Sequence, residues 1–318
     1  MGTEMLDKSI DVVAVGSWTN FDHLFRVDQL PMPGDTVQII SPIATVEKIH
    51  WGGCAPNNAV AAAKLGATSA LVSVVGRDFR DRGYKSYLEG LSIDLRGTII
   101  LEDALCGHSF LFSAPSGDSI CISHIGAAAF QAQQTPNEEV LRSSKVAVIN
   151  YVFDEFTLRA AQIVSENGGQ VIVSGALMTA PEYAQAMVSV ADILVCTEHE
   201  LDRLCSYLNL EDEFALFNSG IQALISTRGK SGSLLTTRDR RELIPAAQPD
   251  RVVDPVGAGD SFVGGIAAGL AFDLPLDIAI KLGAVVASYV IEAEGCQTNM
   301  PTREQVESRL LRDFGLHL

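Results

Sequence analysis

Residues 254–260 read Asp-Pro-Val-Gly-Ala-Gly-Asp and stand directly before a helical pattern of small and apolar residues. Gly257 and Gly259 permit a tight turn whose backbone N–H groups point outward, and the start of the following helix adds partial positive charge there. A phosphoryl group in transfer fits such a turn. Asp260 is then a candidate general base that accepts the proton of an attacking hydroxyl. The alternative is a simple turn with Asp260 as the helix N-cap.

The composition indicates a globular protein with a substantial core. The chain has 318 residues, of which 47% are hydrophobic, which is enough for one large domain spanning residues 1–318. The formal net charge is −16, and no basic run of the kind that follows a phosphate backbone is present. We therefore expect small-molecule partners and no binding to nucleic acid.

Neither the cysteines nor the apolar segments indicate an extracellular or membrane protein. The six cysteines have no C-x-x-C spacing and no paired Cys/His ligand pattern, so we interpret them as reduced thiols. The N-terminus lacks the features of a signal peptide, and no apolar run approaches the roughly 20 residues of a membrane span. These features predict a cytoplasmic protein without membrane contact.

Short apolar runs rich in β-branched residues alternate with helical patterns along the chain. This alternation predicts an α/β fold, a doubly wound and mainly parallel sheet with ligands at the carboxyl ends of its strands. Asp154 and Thr197 are the predicted N-caps of two helices. The predicted strands are 10–15, 70–75, 145–150, 170–174, 192–196 and 221–226, and the predicted helices are 55–65, 155–167 and 198–208.

Two segments, 21–51 and 97–125, interrupt this alternation. Both contain β-rich stretches, such as residues 36–40 and 108–112, together with proline and glycine turns. Excursions of this size are usually functional, so we interpret them as a small β-sheet lid over the active site. The alternative is an ordinary extension of the main sheet. Pairing of two lids in a homodimer would cover the exposed strand edges.

The chain lacks the two common nucleotide-binding motifs. Residues 228–231 (Arg-Gly-Lys-Ser) end like a P-loop, but Leu224 stands where that motif requires its first glycine. A dinucleotide fingerprint fails as well, because no second glycine follows Gly16 at the required spacing and Phe262 replaces the last glycine after Gly257. Any nucleotide must therefore bind in another way.

Four motifs precede residues 254–260 in a fixed order. They are Gly16-Ser17 with Asn20-Phe21-Asp22, Gly52-Gly53 with Asn57, Gly76 with Asp78, and Thr227 with Gly229 and Gly232. In this order, from Val13 to about Thr302, the chain resembles the ribokinase/PfkB family of sugar and nucleoside kinases. The resemblance implies a ribokinase-like fold, a doubly wound and mainly parallel sheet flanked by helices, with a small β-sheet lid.

The resemblance also implies roles for the residues of the glycine turn. Asp260 would deprotonate the acceptor hydroxyl, and the backbone of Gly257, Ala258 and Gly259 would form the anion hole for the phosphoryl group. The expected activity is transfer of the γ-phosphoryl group of ATP to a primary hydroxyl of a sugar.

Three further residues are implied to hold acceptor hydroxyls, namely Asp22, Gly53 and Asn57. Carboxylate and amide groups suit a polyol because they accept and donate hydrogen bonds in pairs. The alternative for Asn57 is a helix N-terminal cap, and the alternative for Asp22 is a turn at a strand end.

ATP and Mg²⁺ are the implied cofactors. Glu200 would organise Mg²⁺ through water, although Thr197 replaces the asparagine of the family motif; a hydroxyl can still hold a water molecule. Asp254 and Val256 match positions where some members bind a monovalent cation such as K⁺. The implied nucleotide side comprises Thr227, Gly229 and Gly232, with the region from Ala284 to Ser288 and Gly295-Cys296-Gln297 against the base.

The resemblance leaves the acceptor open. Residues 20–34 look like ribokinase itself, whereas Gly-Gly-Cys-Ala at 52–55 and the ending at 295–299 look more like nucleoside kinases. A nucleoside requires a slot for its base, for which Trp18, His108, Phe110 and Phe112 are available unless they only pack within the sheet. A catalytically inactive sugar- or nucleotide-binding protein is the alternative of another class, and the retention of Asp260 argues against it.

Overall fold

A nine-stranded sheet and a separate four-stranded sheet organise the protein, in a computed structural model that describes residues 8–42, 48–116 and 118–318. The strands in these residues are β1 (Ile10–Val15), β2 (Asn20–Arg26), β3 (Ile49–Gly52), β4 (Ser69–Gly76), β5 (Thr98–Leu101), β6 (Gly107–Ser113), β7 (Ser119–His124), β8 (Ser144–Ile149), β9 (Gln170–Ser174), β10 (Ile193–Thr197), β11 (Ala223–Thr227), β12 (Ser233–Thr236) and β13 (Arg241–Ile244). The α-helices are α1 (Cys54–Lys64), α2 (Asp78–Asp81), α3 (Tyr84–Gly90), α4 (Glu138–Arg142), α5 (Glu155–Glu166), α6 (Pro181–Val190), α7 (Glu198–Tyr207), α8 (Ala258–Ala271), α9 (Leu276–Val290) and α10 (Arg303–Phe314).

The large sheet has the strand order β13-β12-β11-β10-β9-β8-β1-β4-β5. The strands from β11 to β5 pair in parallel, while β12 and β13 add an antiparallel edge. Helices cover both faces, so the central strands are apolar on both sides. One core includes Phe262 and Val285 from α8 and α9, and the other includes Phe156 and Met187 from α5 and α6. The predicted doubly wound parallel sheet is confirmed.

The predicted strands and helices of this domain are confirmed, with boundaries that shift by at most two residues. Asp154 caps α5 by accepting hydrogen bonds from the N–H groups of Phe156 and Thr157. Thr197 caps α7 in a reciprocal capping box with Glu200. These side chains satisfy backbone donors that the first helical turn leaves unpaired, and so they fix where each helix begins.

The small sheet joins the two segments that interrupt the alternation. Its strand order is β3-β2-β6-β7, in which β2 and β6 pair in parallel while β2–β3 and β6–β7 are antiparallel. We call these four strands the lid sheet. The first segment supplies β2 and β3, and the second supplies β6 and β7.

Two details of the predicted lid segments were wrong. Strand β5 lies in segment 97–125 but pairs with β4 in the large sheet, because Ile100 packs on one core and Ile99 and Leu101 pack on the other. Residues 36–40 form no strand; Ile39 makes a single bridge to Val27 and is half exposed. Residues 43–47 and 117 of these segments lie outside the described residues.

Within the described ranges, the helices are all too short or too polar to cross a bilayer.

Candidate active site

Asp260 lies in the first turn of α8, next to a left-handed glycine. Gly257 occupies the N-cap position with φ 82°, and Asp260 is the third residue of the helix. The alternative interpretation of Asp260 as the N-cap is therefore wrong. The first backbone N–H groups of α8 and the Asp260 carboxyl group lie together at this end of the helix. Hydrogen-bond donors that could bind an anion are therefore adjacent to a group that could accept a proton.

Two asparagines of α1 hold Asp260 in place. Asn57 Nδ2 donates to Asp260 Oδ2 at 2.8 Å, and Asn58 Nδ2 donates to the Asp260 backbone oxygen at 2.5 Å. Asn58 in turn accepts from Asn150 Nδ2 at 2.5 Å, so the end of β8 also supports the arrangement. Asn57 lies inside α1 rather than at its cap, which is Gly53, so the capping alternative for Asn57 is wrong.

The environment of Asp260 makes its carboxylate more basic than usual. Burial raises the pKa of Asp260, while hydrogen bonds from Asn57 and Cys54 oppose this shift. A base whose pKa moves up from the ordinary carboxylate range accepts a hydroxyl proton more readily. The Asp260 carboxylate could therefore accept a proton from a hydroxyl placed beside it.

Asp22 approaches the same region from the lid sheet. It is a buried residue inside β2, paired in register with His50, so the alternative of a strand-end turn is wrong. The Cys296 thiol donates to Asp22 Oδ2 at 3.6 Å. Burial raises the pKa of Asp22 to about 7, and the negative charges of Asp260 and Asp254 add to this shift. Two acidic side chains, one on the lid sheet and one on the main domain, are thus close enough to interact electrostatically.

Two glycines make this approach possible. A Cβ atom on Gly52 would collide with the Asp22 carboxylate, and one on Gly53 would collide with the Trp18 carbonyl oxygen. Gly53 also has φ 106°, which side-chain-bearing residues rarely adopt. The Gly-Gly pair therefore allows β3, β2 and the start of α1 to meet at the site.

Asp254 organises the glycine turn. Its Oδ1 accepts from the Val256 N–H and its Oδ2 accepts from the Gly295 N–H, both at 3.0 Å. The carboxylate therefore joins the turn to the loop that follows α9.

Among the candidate nucleotide residues, Thr227 ends β11, and Gly229 and Gly232 lie in the loop that follows it. Thr227 pairs in register with Thr197 at the end of β10, so these loops lie side by side at the carboxyl edge of the sheet. A Cβ atom on Gly232 would collide with the Ile244 carbonyl oxygen. Arg228 Nη2 contacts Glu198 Oε1 at 2.6 Å and ties the two loops together.

The two candidate residues on α9 differ in exposure. Ala284 is half-buried, whereas Ser288 is buried; its hydroxyl donates to the Val285 carbonyl oxygen and accepts from Arg309. The polar group of Ser288 is thus already engaged within the fold.

The carboxylate of Glu200 accepts from the Thr197 N–H at 2.8 Å, and the Glu200 N–H donates to Thr197 Oγ1 at 3.2 Å. Glu200 therefore serves the capping box of α7 in this structure. Across residues 8–42, 48–116 and 118–318, no three His, Cys, Asp or Glu side chains cluster as a metal site.

Residues 295–297, which the resemblance places against the nucleotide base, include Gln297, whose side chain contacts Asn57 and Tyr84. Gln297 Nε2 donates to Asn57 Oδ1 at 2.8 Å and to the Tyr84 hydroxyl at 2.7 Å, and Tyr84 donates to the Gly52 carbonyl oxygen. Gln297 and Cys296 thus lie against candidate acceptor residues. Tyr84 and Asn58 were given no role by the sequence motifs, so only the three-dimensional contacts connect them with the site.

The aromatic residues of the lid sheet lie mainly away from Asp22. His108 pairs with Phe21, and Phe110 pairs with His23, with ring centroids 4.7 Å apart. Side chains alternate between the faces of a strand, so these rings occupy the face opposite Asp22. Packing within the sheet accounts for His108, Phe110 and Phe112, whereas Trp18 makes an edge contact with Tyr151 at 5.3 Å.

Comparisons with known proteins agree with these observations. The family described as pfkB family carbohydrate kinase matches residues 10–303. A nucleoside kinase from Methanocaldococcus jannaschii is 32% identical over 302 residues, which are 92% of this chain and 94% of the relative. A ribokinase from Haemophilus influenzae is 26% identical over 300 residues, or 90% and 94% of the two chains. The crystal structure of the M. jannaschii enzyme superposes with a TM-score of 0.85 at 31% identity, covering 95% of this chain and 98% of that one.

Proposed function

Because the chain belongs to the pfkB carbohydrate kinase family and is thus a phosphotransferase with an alcohol acceptor, we propose that it phosphorylates a primary hydroxyl of a pentose-bearing acceptor with ATP. One observation carries the proposal. The Asp260 carboxylate accepts from Asn57 at 2.8 Å and lies one helical turn from the left-handed Gly257 at the start of α8.

The proposed reaction assigns a separate task to each group. The acceptor hydroxyl gives its proton to Asp260 while its oxygen forms a bond to the γ-phosphorus of ATP. The bond between this phosphorus and the β,γ-bridging oxygen breaks, and ADP is released. The N–H groups of Gly257, Ala258 and Gly259 stabilise charge on the migrating phosphoryl group. Asp22, Gly53 and Asn57 hold the acceptor, and Thr227, Gly229 and Gly232 line the nucleotide side, with Ala284 and Ser288 toward the base.

Both a free sugar and a nucleoside remain candidate acceptors. The M. jannaschii relative named as a nucleoside kinase favours a nucleoside, with Trp18 and Tyr151 beside the base. The test is a coupled ADP-release assay over ribose, fructose, 2-keto-3-deoxy sugars, adenosine, inosine and cytidine, with Mg²⁺ and ATP. ADP release with any of them supports the proposal. Silence across the whole panel contradicts it and favours a binding protein without catalysis.

The six free cysteines are consistent with the proposed reducing, cytoplasmic location.

We also propose that Glu200 helps to organise Mg²⁺ through water, and that Asp254 and Val256 hold a monovalent cation such as K⁺. Replacing Glu200 with Gln should raise the Mg²⁺ concentration for half-maximal activity by about tenfold, because the charge that orients hydrated metal is lost. Glutamine still completes a capping box, so the melting temperature should stay the same. The measurement is activity against free Mg²⁺.

The matched control is Glu182→Gln, which removes an acidic residue from the first turn of α6. An Mg²⁺ curve for Glu200→Gln that overlays those of the control and the wild type would assign Glu200 to capping alone.

We propose that two lid sheets pair in a homodimer. All six residues of β7 are exposed, and Ile122 on this edge strand is 61% exposed. Ile122→Asp should halve the mass seen by light scattering, whereas Leu243→Asp, at a comparably exposed residue of β13, should not. A wild-type mass of about 34.0 kDa at micromolar concentration with full activity would contradict a required dimer.

A further inference from the structure

Cys296 lies between the two halves of the candidate site. Its side chain is 3% exposed, and its Sγ donates to Asp22 Oδ2 at 3.6 Å. On its other side it packs against the glycine turn, since a Cβ atom on Gly257 would lie 2.7 Å from Cys296 Cβ and 3.0 Å from Sγ. One thiol therefore touches both the lid-sheet carboxylate and the turn that begins α8.

We propose that Cys296 is a positioning residue, whose thiol donates a hydrogen bond that favours the ionised form of Asp22 and orients it toward the acceptor. This inference rests on the proposed function for the role of Asp22 in acceptor binding. The hydrogen bond itself is a property of the protein without ligands.

The surroundings of Asp22 explain why one donor matters. The titratable groups facing Asp22 or close to it are Cys296, Asp260, Asp254, Cys54, Tyr84 and the register partner His50. Burial and the two neighbouring carboxylates raise the pKa of Asp22, while the hydrogen bonds from Cys296 and Ser109 lower it. Cys296 and Ser109 are thus the donors to Asp22 in the described part of the chain, and the loss of one should favour the neutral carboxyl group.

The thiol is suited to remain a donor. Burial and the negative charges of Asp22, Asp260 and Asp254 raise the pKa of Cys296 well above its ordinary value. The sulfur therefore keeps its proton at neutral pH and can donate it in a hydrogen bond. The same environment disfavours the thiolate, so the role of Cys296 is not that of a nucleophile.

The direct test follows the Asp22 carboxyl carbon by ¹³C NMR against pH in ligand-free protein, with the signal assigned by its loss in Asp22→Asn. Cys296→Ala and Cys296→Val remove the donor, and valine keeps most of the side-chain volume. Both should move the Asp22 midpoint up by about 0.5–1 pH unit, the size expected for a weak donor to a charged group. Cys296→Ser keeps a donor and should titrate at or below the wild-type midpoint.

Cys205→Ala is the control, because it removes a half-buried thiol on α7 instead. If either Cys296→Ala or Cys296→Val folds and shows an unchanged Asp22 midpoint, the proposal is overturned. An upward shift in Cys296→Ser equal to that in Cys296→Ala would overturn it too, since the effect would then come from packing.

A second measurement uses the acceptor identified by the panel. If Asp22 binds the acceptor in its ionised form, Cys296→Ala should raise KM for the acceptor about two- to fivefold at pH 7 and hardly at all at pH 9. An equal increase at both pH values would contradict the proposal. The NMR titration needs no turnover, so an inactive wild type would refute the proposed function and leave this inference to the titration alone.

Discussion

Asp260→Asn should lower kcat by on the order of 10²–10⁴, the usual contribution of a positioned general base. Asparagine has the same shape as aspartate and can still accept from Asn57, so α8 and the glycine turn should keep their positions. The amide oxygen is a far weaker base than the carboxylate and cannot take the acceptor proton. ATP binding should stay nearly unchanged, because the nucleotide residues lie on other loops.

The measurement is steady-state turnover combined with calorimetric titration of ATP. The matched control is Asp277→Asn, which also removes an aspartate from the first turn of a helix, α9, and whose carboxylate pairs with Lys281 instead. The control should retain wild-type turnover. If Asp260→Asn also kept near wild-type turnover, Asp260 would have no part in the mechanism.

Asp22→Asn should have two opposite effects, one on binding and one on stability. It should lower kcat/KM for the acceptor by about 10- to 100-fold, because hydrogen bonds to a charged group are worth about 1.5–3 kcal/mol. It should also stabilise the protein at neutral and higher pH. Burial raises the pKa of Asp22 from an ordinary 3.8 to about 7, so folding disfavours its charged form.

The raised pKa of Asp22 determines the sign of the pH dependence of stability. Between about pH 4 and pH 7 the folded wild type binds more protons than the unfolded chain at Asp22, so its stability falls as pH rises and stays low above pH 7. Asparagine does not titrate. The free energy of unfolding of the variant should therefore exceed that of the wild type by up to about 4 kcal/mol above pH 7, and by much less near pH 4.

Thermal melting of both proteins across this pH range measures the difference. Asp28→Asn is the control, because Asp28 is an exposed acidic residue shortly after β2 and carries no comparable burial. A stability difference for Asp22→Asn that does not grow with pH would contradict the expected burial of charge. An unchanged kcat/KM would remove Asp22 from acceptor binding.

The main sheet could be predicted from the sequence because its local patterns agree with its tertiary contacts. The strand Ile10–Val15 is apolar except for Asp11, and in the structure helices cover both of its faces. The helix that follows Asp154 begins where the capping side chain predicts. The position of Asp260 could be predicted as well, since a glycine turn before a helix is a local feature.

The remaining parts of the site depend on contacts between distant residues. Gln297 and Asn57 are 240 positions apart, and no spacing rule connects them. Strand β5 was misassigned because a short strand with three apolar residues, Ile99, Ile100 and Leu101, fits either sheet, and only packing against both cores decides between them. The capping role of Glu200 and its proposed metal role use the same carboxylate, so the pattern alone could not separate them.

The placement of one acidic group on the lid sheet and the other on helix α8 has a consequence for protein engineering. Asp22 belongs to strands inserted between β1 and α1, whereas Asp260 belongs to a helix near the other end of the chain. The proposed contribution of Asp22 to acceptor recognition and the proposed proton abstraction by Asp260 therefore reside on different pieces of the chain, while Asn57 of α1 contacts Asp260 directly. Transplanting β2, β3, β6 and β7 from a relative with another acceptor should transfer substrate choice, while the recipient retains its own chemical step. The fold is therefore suited to the construction of chimeric kinases.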